Sequence, residues 1–454
     1  MKKIFIDCSY LSKHVELNTG IQRVVRKVTE NFFELSNKYD REIILVNIAH
    51  GTFEKIEPSM LYPQPVSSIN SQEIYTAKIK FSLKNYLKDI YKAIRTLFLA
   101  IFPFEGMRKF LFAPREKFGL GYIINLFFIK PLKFFINIFK KNSSVVTTEP
   151  FVNDGDILLL LDSTWYMNIW PSVASFKGKG GKVIAVAYDI IPISHPQFCD
   201  DFLAQVFKDW FYDSLKYVDG YIAISNTIKI GLQEFLHQEF GEKIASKKFD
   251  YFLLGSDFEY KKTDMLQIRE NVKNSFVNNV SAYLIVCTIE PRKNHTYLLD
   301  VFDVLWAENM DVSLCIVGKI GWKVEEIVNR ILSHQEYGKK LFMYNDLNDT
   351  ELEYCYKHAK MLLFPSIVEG FGLPIVEALS YALPVLASNT DVHREVGAEQ
   401  IGYFDIQNIN DLKSWIQNIE QTGIPQNLIP PKDYKWMSWK ESSQMLLEKI
   451  QKML

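Results

Sequence analysis

Cysteine is sparse in this chain. Its five residues (Cys8, Cys199, Cys287, Cys315 and Cys355) are scattered and odd in number, with no CxxC pair and no Cys/His cluster. That pattern excludes a disulfide scaffold and gives no zinc-site spacing. Cys287 and Cys315 sit inside apolar runs, where buried free thiols are common, and a reducing cytoplasm suits them best. No uninterrupted apolar run approaches the length of a membrane-spanning helix. Lys2-Lys3 leads straight into a short strand at 4–7, so no secretory leader is expected. There is no internal sequence repeat, which removes solenoids and propellers. Overall charge is also nearly absent, at −1 over 454 residues.

That small net charge conceals an asymmetry. Between Lys78 and Asn142 there are 14 Lys/Arg against three acids (Asp89, Glu105 and Glu116), a balance of +11 that leaves −12 for the rest. The same stretch is dense in aromatic and aliphatic residues, as in Tyr122-Ile123-Ile124-Asn125-Leu126-Phe127-Phe128-Ile129. Basic residues interleaved with apolar ones are what an anionic membrane surface attracts. No RNA- or DNA-binding module surrounds the stretch, so nucleic acid is not an expected partner.

Outside this region the chain alternates strand-like and helix-like segments, the pattern of parallel α/β layers. Strands are expected at 4–7, 43–48, 157–162, 183–188, 221–225 and 251–254. A second series follows at 283–288, 312–317, 341–344, 361–364, 384–387 and 402–404. Helical spacing fills 21–35, 202–217, 296–306, 349–359 and 374–381. With 48% hydrophobic residues, the length suits two cores rather than one. The expected organisation is a Rossmann-like domain at 1–260 with a helical insertion at about 52–153, and a second Rossmann-like domain at 261–437. Ligands belong at the carboxyl ends of the strands.

The densest chemistry lies in Glu369-Gly370-Phe371-Gly372-Leu373-Pro374-Ile375-Val376-Glu377, directly after the apolar run 361–364. Pro374 suits the first turn of a helix, where its missing N–H has no helical partner. Gly370 and Gly372 allow close backbone approach, and the free amides of a helix start face an anion. Carboxylates repel phosphate, so Glu369 and Glu377 suit sugar hydroxyls on either side of a diphosphate. The ligand described is a nucleotide-diphosphate sugar.

Glu-Gly-Phe-Gly-Leu-Pro with a second Glu eight residues after the first resembles the signature of family 4 glycosyltransferases, retaining enzymes of the GT-B fold. The style of 288–295 is similar to bacterial polysaccharide mannosyltransferases. The resemblance implies an α/β GT-B architecture, two Rossmann-like domains facing across a cleft, with the basic aromatic-rich insertion in the first. It also implies a final helix at 438–454 packing back on that domain. It assigns Glu369 to the transferred sugar and Glu377 to the ribose, with Gly370, Phe371, Gly372 and Leu373 around the donor.

Arg292 and Lys293, in Glu290-Pro291-Arg292-Lys293-Asn294, are the expected partners of the leaving diphosphate. The family's Gly-Arg pair is replaced here by Val286-Cys287, so Arg292 stands in. Gly20, in Asn18-Thr19-Gly20-Ile21-Gln22-Arg23, resembles the loop placed over the donor phosphates, and Gly318 resembles the glycine near the diphosphate. Asp189 ends a strand where relatives carry His-Asp. With Tyr188 in the His position, Asp189 is left to orient or deprotonate the acceptor hydroxyl, or to cap a helix. Asp154-Gly155-Asp156 reads as a turn.

No metal and no cofactor are therefore expected. The expected activity is transfer of mannose or a related sugar from a GDP-sugar to a lipid-linked saccharide, peripheral at the cytoplasmic face of a membrane. A non-hydrolysing sugar-nucleotide epimerase or a non-catalytic assembly scaffold are the alternatives. Retention of both Glu369 and Glu377 argues against the scaffold.

Each basic residue near an anionic surface contributes about 1 kcal/mol, falling off within a Debye length. The protein should therefore sediment with phosphatidylglycerol vesicles at low salt and release in high salt. Reversing Lys130, Lys133, Lys140 and Lys141 to Glu should abolish sedimentation. Wild-type protein that ignores such vesicles at low salt removes the membrane reading.

Overall fold

The computed structural model describes residues 2–17, 20–49, 52–63, 152–256, 268–277, 281–431 and 434–453. The basic stretch 78–142 and the Asn18-Thr19 pair lie outside them. The first sheet is built from β1 (Lys2–Asp7), β2 (Arg41–Ala49), β3 (Thr52–Lys55), β4 (Ile157–Leu160), β5 (Lys182–Ala187), β6 (Gly220–Ala223) and β7 (Lys248–Tyr251), in the order 3-2-1-4-5-6-7. The second runs through β8 (Ser281–Val286), β9 (Val312–Val317), β10 (Leu341–Tyr344), β11 (Met361–Phe364), β12 (Val385–Ser388) and β13 (Gly402–Phe404), in the order 10-9-8-11-12-13.

Except for β3, the paired strands are parallel. Layers cover both faces, so β4 and β11 are buried along their whole length and read as unbroken apolar runs rather than alternating ones. In each sheet the chain winds first to one side of the opening strand and then to the other. The reversal falls between β1 and β4 in the first sheet and between β8 and β11 in the second. In sheets of this kind the reversal is where loops leaving adjacent strands part, and a ligand is expected there.

Five helices matter for the site. Helix α1 (Gly20–Leu35) follows β1 and buries Val24, Val25, Val28 and Phe32 on one face. Helix α2 (Asn226–Phe240) follows β6, α3 (His295–Ala307) follows β8, and α4 (Leu373–Ser380) follows β11. Helix α5 (Trp439–Lys452) starts on a capping box of Ser438 and Glu441 and buries Leu446, Leu447 and Ile450. It lies against α1 and so returns to the first domain. Ser442 donates to the Leu253 carbonyl at 2.6 Å, Tyr39 to Glu448 at 3.0 Å, and Lys449 pairs with Asp250 at 2.7 Å.

Two expectations need correction. Residues 52–62 do not begin an insertion. Thr52–Lys55 is an antiparallel edge strand on β2 with Phe53 buried, and Leu61 is buried beyond it. Four residues with a single apolar side chain are too short to show a period. The strand expected at 251–254 ends instead at Tyr251. Phe252 and Leu254 are buried, but the carbonyls of Leu253 and Leu254 serve Ser442 and the Trp436 indole instead of a sheet neighbour.

Candidate functional site

The two loops at the second sheet's reversal hold each other. The Ile367 amide, after β11, donates to the Arg292 carbonyl, after β8, at 2.8 Å. Pro291–Lys293 forms a 3-10 turn, and Asn294 takes a left-handed conformation at the start of α3, which its short polar side chain tolerates. The turn aims two cations at one carboxylate. Arg292 Nη1 lies 2.7 Å from Glu369 Oε2, and Lys293 Nζ pairs with Glu369 Oε1. Arg292 Nε also donates to Glu290 at 2.9 Å. Lys293 stands 5.2 Å from the centroid of the buried Phe364 ring.

Glu369, Lys293 and Glu290 are all buried, which makes mutual pairing a condition of their charge. Burial pushes the Glu369 carboxyl up, but Arg292 and Lys293 together outweigh it and hold it well below the usual carboxylate range. Burial of Glu290 wins over the same two cations, and its carboxyl is raised. The next residue, His295, is pushed down to about 4 by burial and then by Lys293, so it is neutral. Its Nδ1 is a buried polar atom with no protein partner.

From the first domain, Asp189 follows β5. Its Oδ1 accepts from the Ile191 amide at 3.0 Å, the local turn-capping alternative. Burial raises its carboxyl, against the pull of Arg292. Tyr188 is buried and donates to the Leu161 carbonyl at 2.7 Å, so its place is structural. Beneath the loop after β1, Asp162 accepts from the Tyr10 and Leu11 amides at 2.8 and 2.7 Å. Its buried neighbour Asp7 is raised to about 7 by burial and by Asp162.

The halves meet around Glu377. Arg23, on α1, donates to Glu377 Oε1 at 2.5 Å, and the buried Tyr356 hydroxyl donates to Oε2 at 2.7 Å. Ser225 donates to the Gly370 carbonyl at 3.0 Å. Glu395 accepts from the Asn226 and Thr227 amides at 2.6 and 2.7 Å and from the Thr227 hydroxyl at 2.6 Å, capping α2 from the other domain. Trp322 and Lys323 donate to the Phe198 and Cys199 carbonyls.

The glycines serve different ends. Gly372 caps α4 at φ +97°, a conformation L side chains rarely adopt. A Cβ on Gly370 would come 2.3 Å from the Tyr188 carbonyl oxygen, and one on Gly318 would come 1.7 Å from that of Cys287. Those two spaces are filled by protein backbone, so both positions require glycine for packing within the protein. Gly20, by contrast, has open space at that point. Phe371 is buried against Trp436, and Leu373 is the first residue of α4, so both can reach a ligand mainly through their backbone.

The fold thus brings Glu369, Arg292, Lys293 and Asp189 into one charged group and sets Glu377 beside it on α4. Arg292 and Lys293, expected to face a diphosphate, are already engaged by Glu369, because a buried cation beside a buried carboxylate pairs with it. Sequence reasoning gave no role to Arg23, Tyr356, Glu290 or Glu395. Arg23 lies in the very segment quoted for Gly20, but its partner is 354 residues away. In Asp154-Gly155-Asp156, Asp156 accepts from the Lys3 and Asn153 amides, both at 2.8 Å, and Gly155 turns at φ +74°.

Residues 268–424 match the family model described as glycosyl transferases group 1. The second domain is a group 1 glycosyltransferase domain. The chain is similar to the serotype-specific mannosyltransferase WbdA of Escherichia coli, 27% identical over 305 residues. That match covers 65% of this chain and 37% of WbdA, so the chain spans little more than a third of that relative. The O-antigen chain mannosyltransferase RfbU of Salmonella typhimurium is 25% identical over 333 residues, 69% of this chain and 85% of RfbU.

Among solved structures, Anabaena HepE in complex with UDP and glucose superposes with a TM-score of 0.54 at 12% identity, covering 99% of both chains. Sucrose-phosphate synthase from Thermosynechococcus elongatus gives 0.54 at 13% identity, covering 100% of this chain and 99% of its own. These likenesses establish the GT-B fold around the group 1 domain.

His295 supplies a pH test of the site's burial. Its folded value of about 4 lies below the unfolded value of about 6.5, so its stabilising contribution is whole above pH 6.5 and is lost as pH falls toward 4. The size is on the order of 3 kcal/mol. Denaturant midpoints at pH 7 and pH 5 should converge in His295→Asn relative to wild type. Parallel losses in both proteins would mean that His295 titrates normally.

Proposed function

We propose that this chain is a retaining, metal-independent glycosyltransferase that uses a nucleotide-diphosphate sugar. GDP-mannose or a related GDP-sugar is the donor and a lipid-linked saccharide of bacterial surface polysaccharide synthesis is the acceptor. The mannosyltransferase names of WbdA and RfbU support the sugar. The observation that carries the reading is the ion cluster of buried Glu369 and Lys293 with half-buried Arg292 at the second sheet's reversal, with Asp189 presented from the first domain.

The chemistry follows from what these groups can do. A donor diphosphate brings anionic oxygens that Arg292 and Lys293 can bind, stabilising the charge that develops as it departs. As the cations turn toward the diphosphate, Glu369 becomes available to accept hydroxyls of the transferred sugar. Because those two cations supply the countercharge, no divalent ion is needed. Glu377 takes the ribose hydroxyls. Asp189, held on the facing domain, orients the acceptor hydroxyl on the leaving-group face of the sugar, the geometry that retention requires. Its raised carboxyl is the better proton acceptor.

No helix among the described residues is long and apolar enough to cross a membrane. Access to a lipid-linked acceptor is assigned to the basic stretch 78–142, resting peripherally on the cytoplasmic face of an anionic membrane.

Radiolabelled GDP-mannose with and without a lipid-linked acceptor fraction provides the test. Transfer that needs the acceptor and survives EDTA is expected; conversion of the donor alone indicates an epimerase, and a metal requirement removes the proposed countercharge. Glu369→Ala should lower turnover by roughly 100-fold while leaving GDP affinity within a few-fold. Glu377→Ala should weaken GDP binding by about 1–3 kcal/mol. Wild-type turnover in the first or wild-type affinity in the second strips that residue of its role.

A further inference from the structure

The carboxylate assigned to the ribose is already occupied, by a side chain from the other domain. Arg23 Nη1 sits 2.5 Å from Glu377 Oε1, and Tyr356 holds Oε2 at 2.7 Å. The two partners differ in freedom. Tyr356 is buried beneath the site, whereas the Arg23 side chain keeps 30% of its surface exposed against 6% for Glu377. A ribose diol reaching Glu377 brings two hydroxyl donors to a carboxylate whose oxygens are both engaged. Arg23, on the open side, is the partner that can leave.

We infer that Arg23 is a donor-operated latch. It closes on Glu377 while the cleft is empty, and passes to the donor diphosphate when the ribose takes Glu377. The inference rests on the donor reading above and assigns a residue that the reading did not contain. A guanidinium displaced from a carboxylate inside a partly buried cleft needs another anion. The diphosphate is the anion that arrives with the ribose, and the planar fork of Arg matches it. Arg23 follows Gly20 by three residues at the start of α1, so the latch also ties the first domain's opening loop to donor occupancy. The Glu395 and Trp322 contacts join the domains outside the donor residues and do not compete with it.

The test separates the two halves of the exchange by comparing a nucleoside with its diphosphate. GDP and guanosine, with UDP and uridine alongside, are titrated in EDTA into wild type, Arg23→Gln and Arg23→Lys. In Arg23→Gln the nucleoside should bind roughly tenfold tighter, since no ion pair competes for Glu377. The diphosphate should stay within a few-fold of wild type, because the lost phosphate contact offsets the same gain. Arg23→Lys keeps a charge and should restore much of the diphosphate's advantage over the nucleoside. A nucleoside bound no better by Arg23→Gln makes the pair merely structural and overturns the latch. A diphosphate that gains as much as the nucleoside overturns the transfer to phosphate. Wild type that binds neither diphosphate overturns the donor reading, and the latch with it.

Discussion

The constraint on which the site depends is that a buried carboxylate cannot stay ionised without partners. Glu369 is buried where the loops after β8 and β11 meet, and desolvation there opposes its charge. Arg292 and Lys293 resolve the conflict, and they can do so because the 3-10 turn at Pro291–Lys293 places consecutive cations on one side. Removing either cation leaves charge buried and uncompensated, a loss of roughly 3–5 kcal/mol for such pairs. An ion cluster of this kind contributes little net stability. In the proposed reaction its use is to hold two oriented cations where a doubly charged leaving group can be met.

The same need for partners explains how the two domains meet. Arg23 satisfies Glu377, Glu395 satisfies the amides at the start of α2, and the absence of a side chain at Gly370 lets the Tyr188 carbonyl approach. These contacts are polar and local. The lasting tie lies elsewhere. Helix α5 leaves the second domain and buries Leu446, Leu447 and Ile450 on the first, an apolar contact unlike the polar ones around Glu377.

The sequence carried the architecture well where strands are buried on both faces. The run at 361–364 is a continuous apolar block and that at 312–317 is interrupted only by Ser313, and their limits match β11 and β9. It failed where pairing is set by distant chain. Thr52–Lys55 has one buried side chain to show for its place on β2, and beyond Tyr251 the Leu253 carbonyl serves α5 rather than a sheet neighbour. The candidate site was legible as residue types, because glycines, cations and carboxylates cluster in short segments after predicted strands. Their mutual engagement was not. No local pattern announces that Arg292 and Lys293 share Glu369, or that Arg23 reaches Glu377 across 354 positions.

The central claim is that Arg292 and Lys293 leave Glu369 for the donor's diphosphate. Calorimetric titration of GDP into wild type and Arg292→Gln, in EDTA and over a series of salt concentrations, tests it most directly. Loss of the guanidinium should weaken GDP by roughly tenfold or more and flatten the salt dependence, as expected for a charge-assisted contact. Equal affinity and equal salt dependence in the two proteins would contradict it and leave the cluster a purely structural ion network.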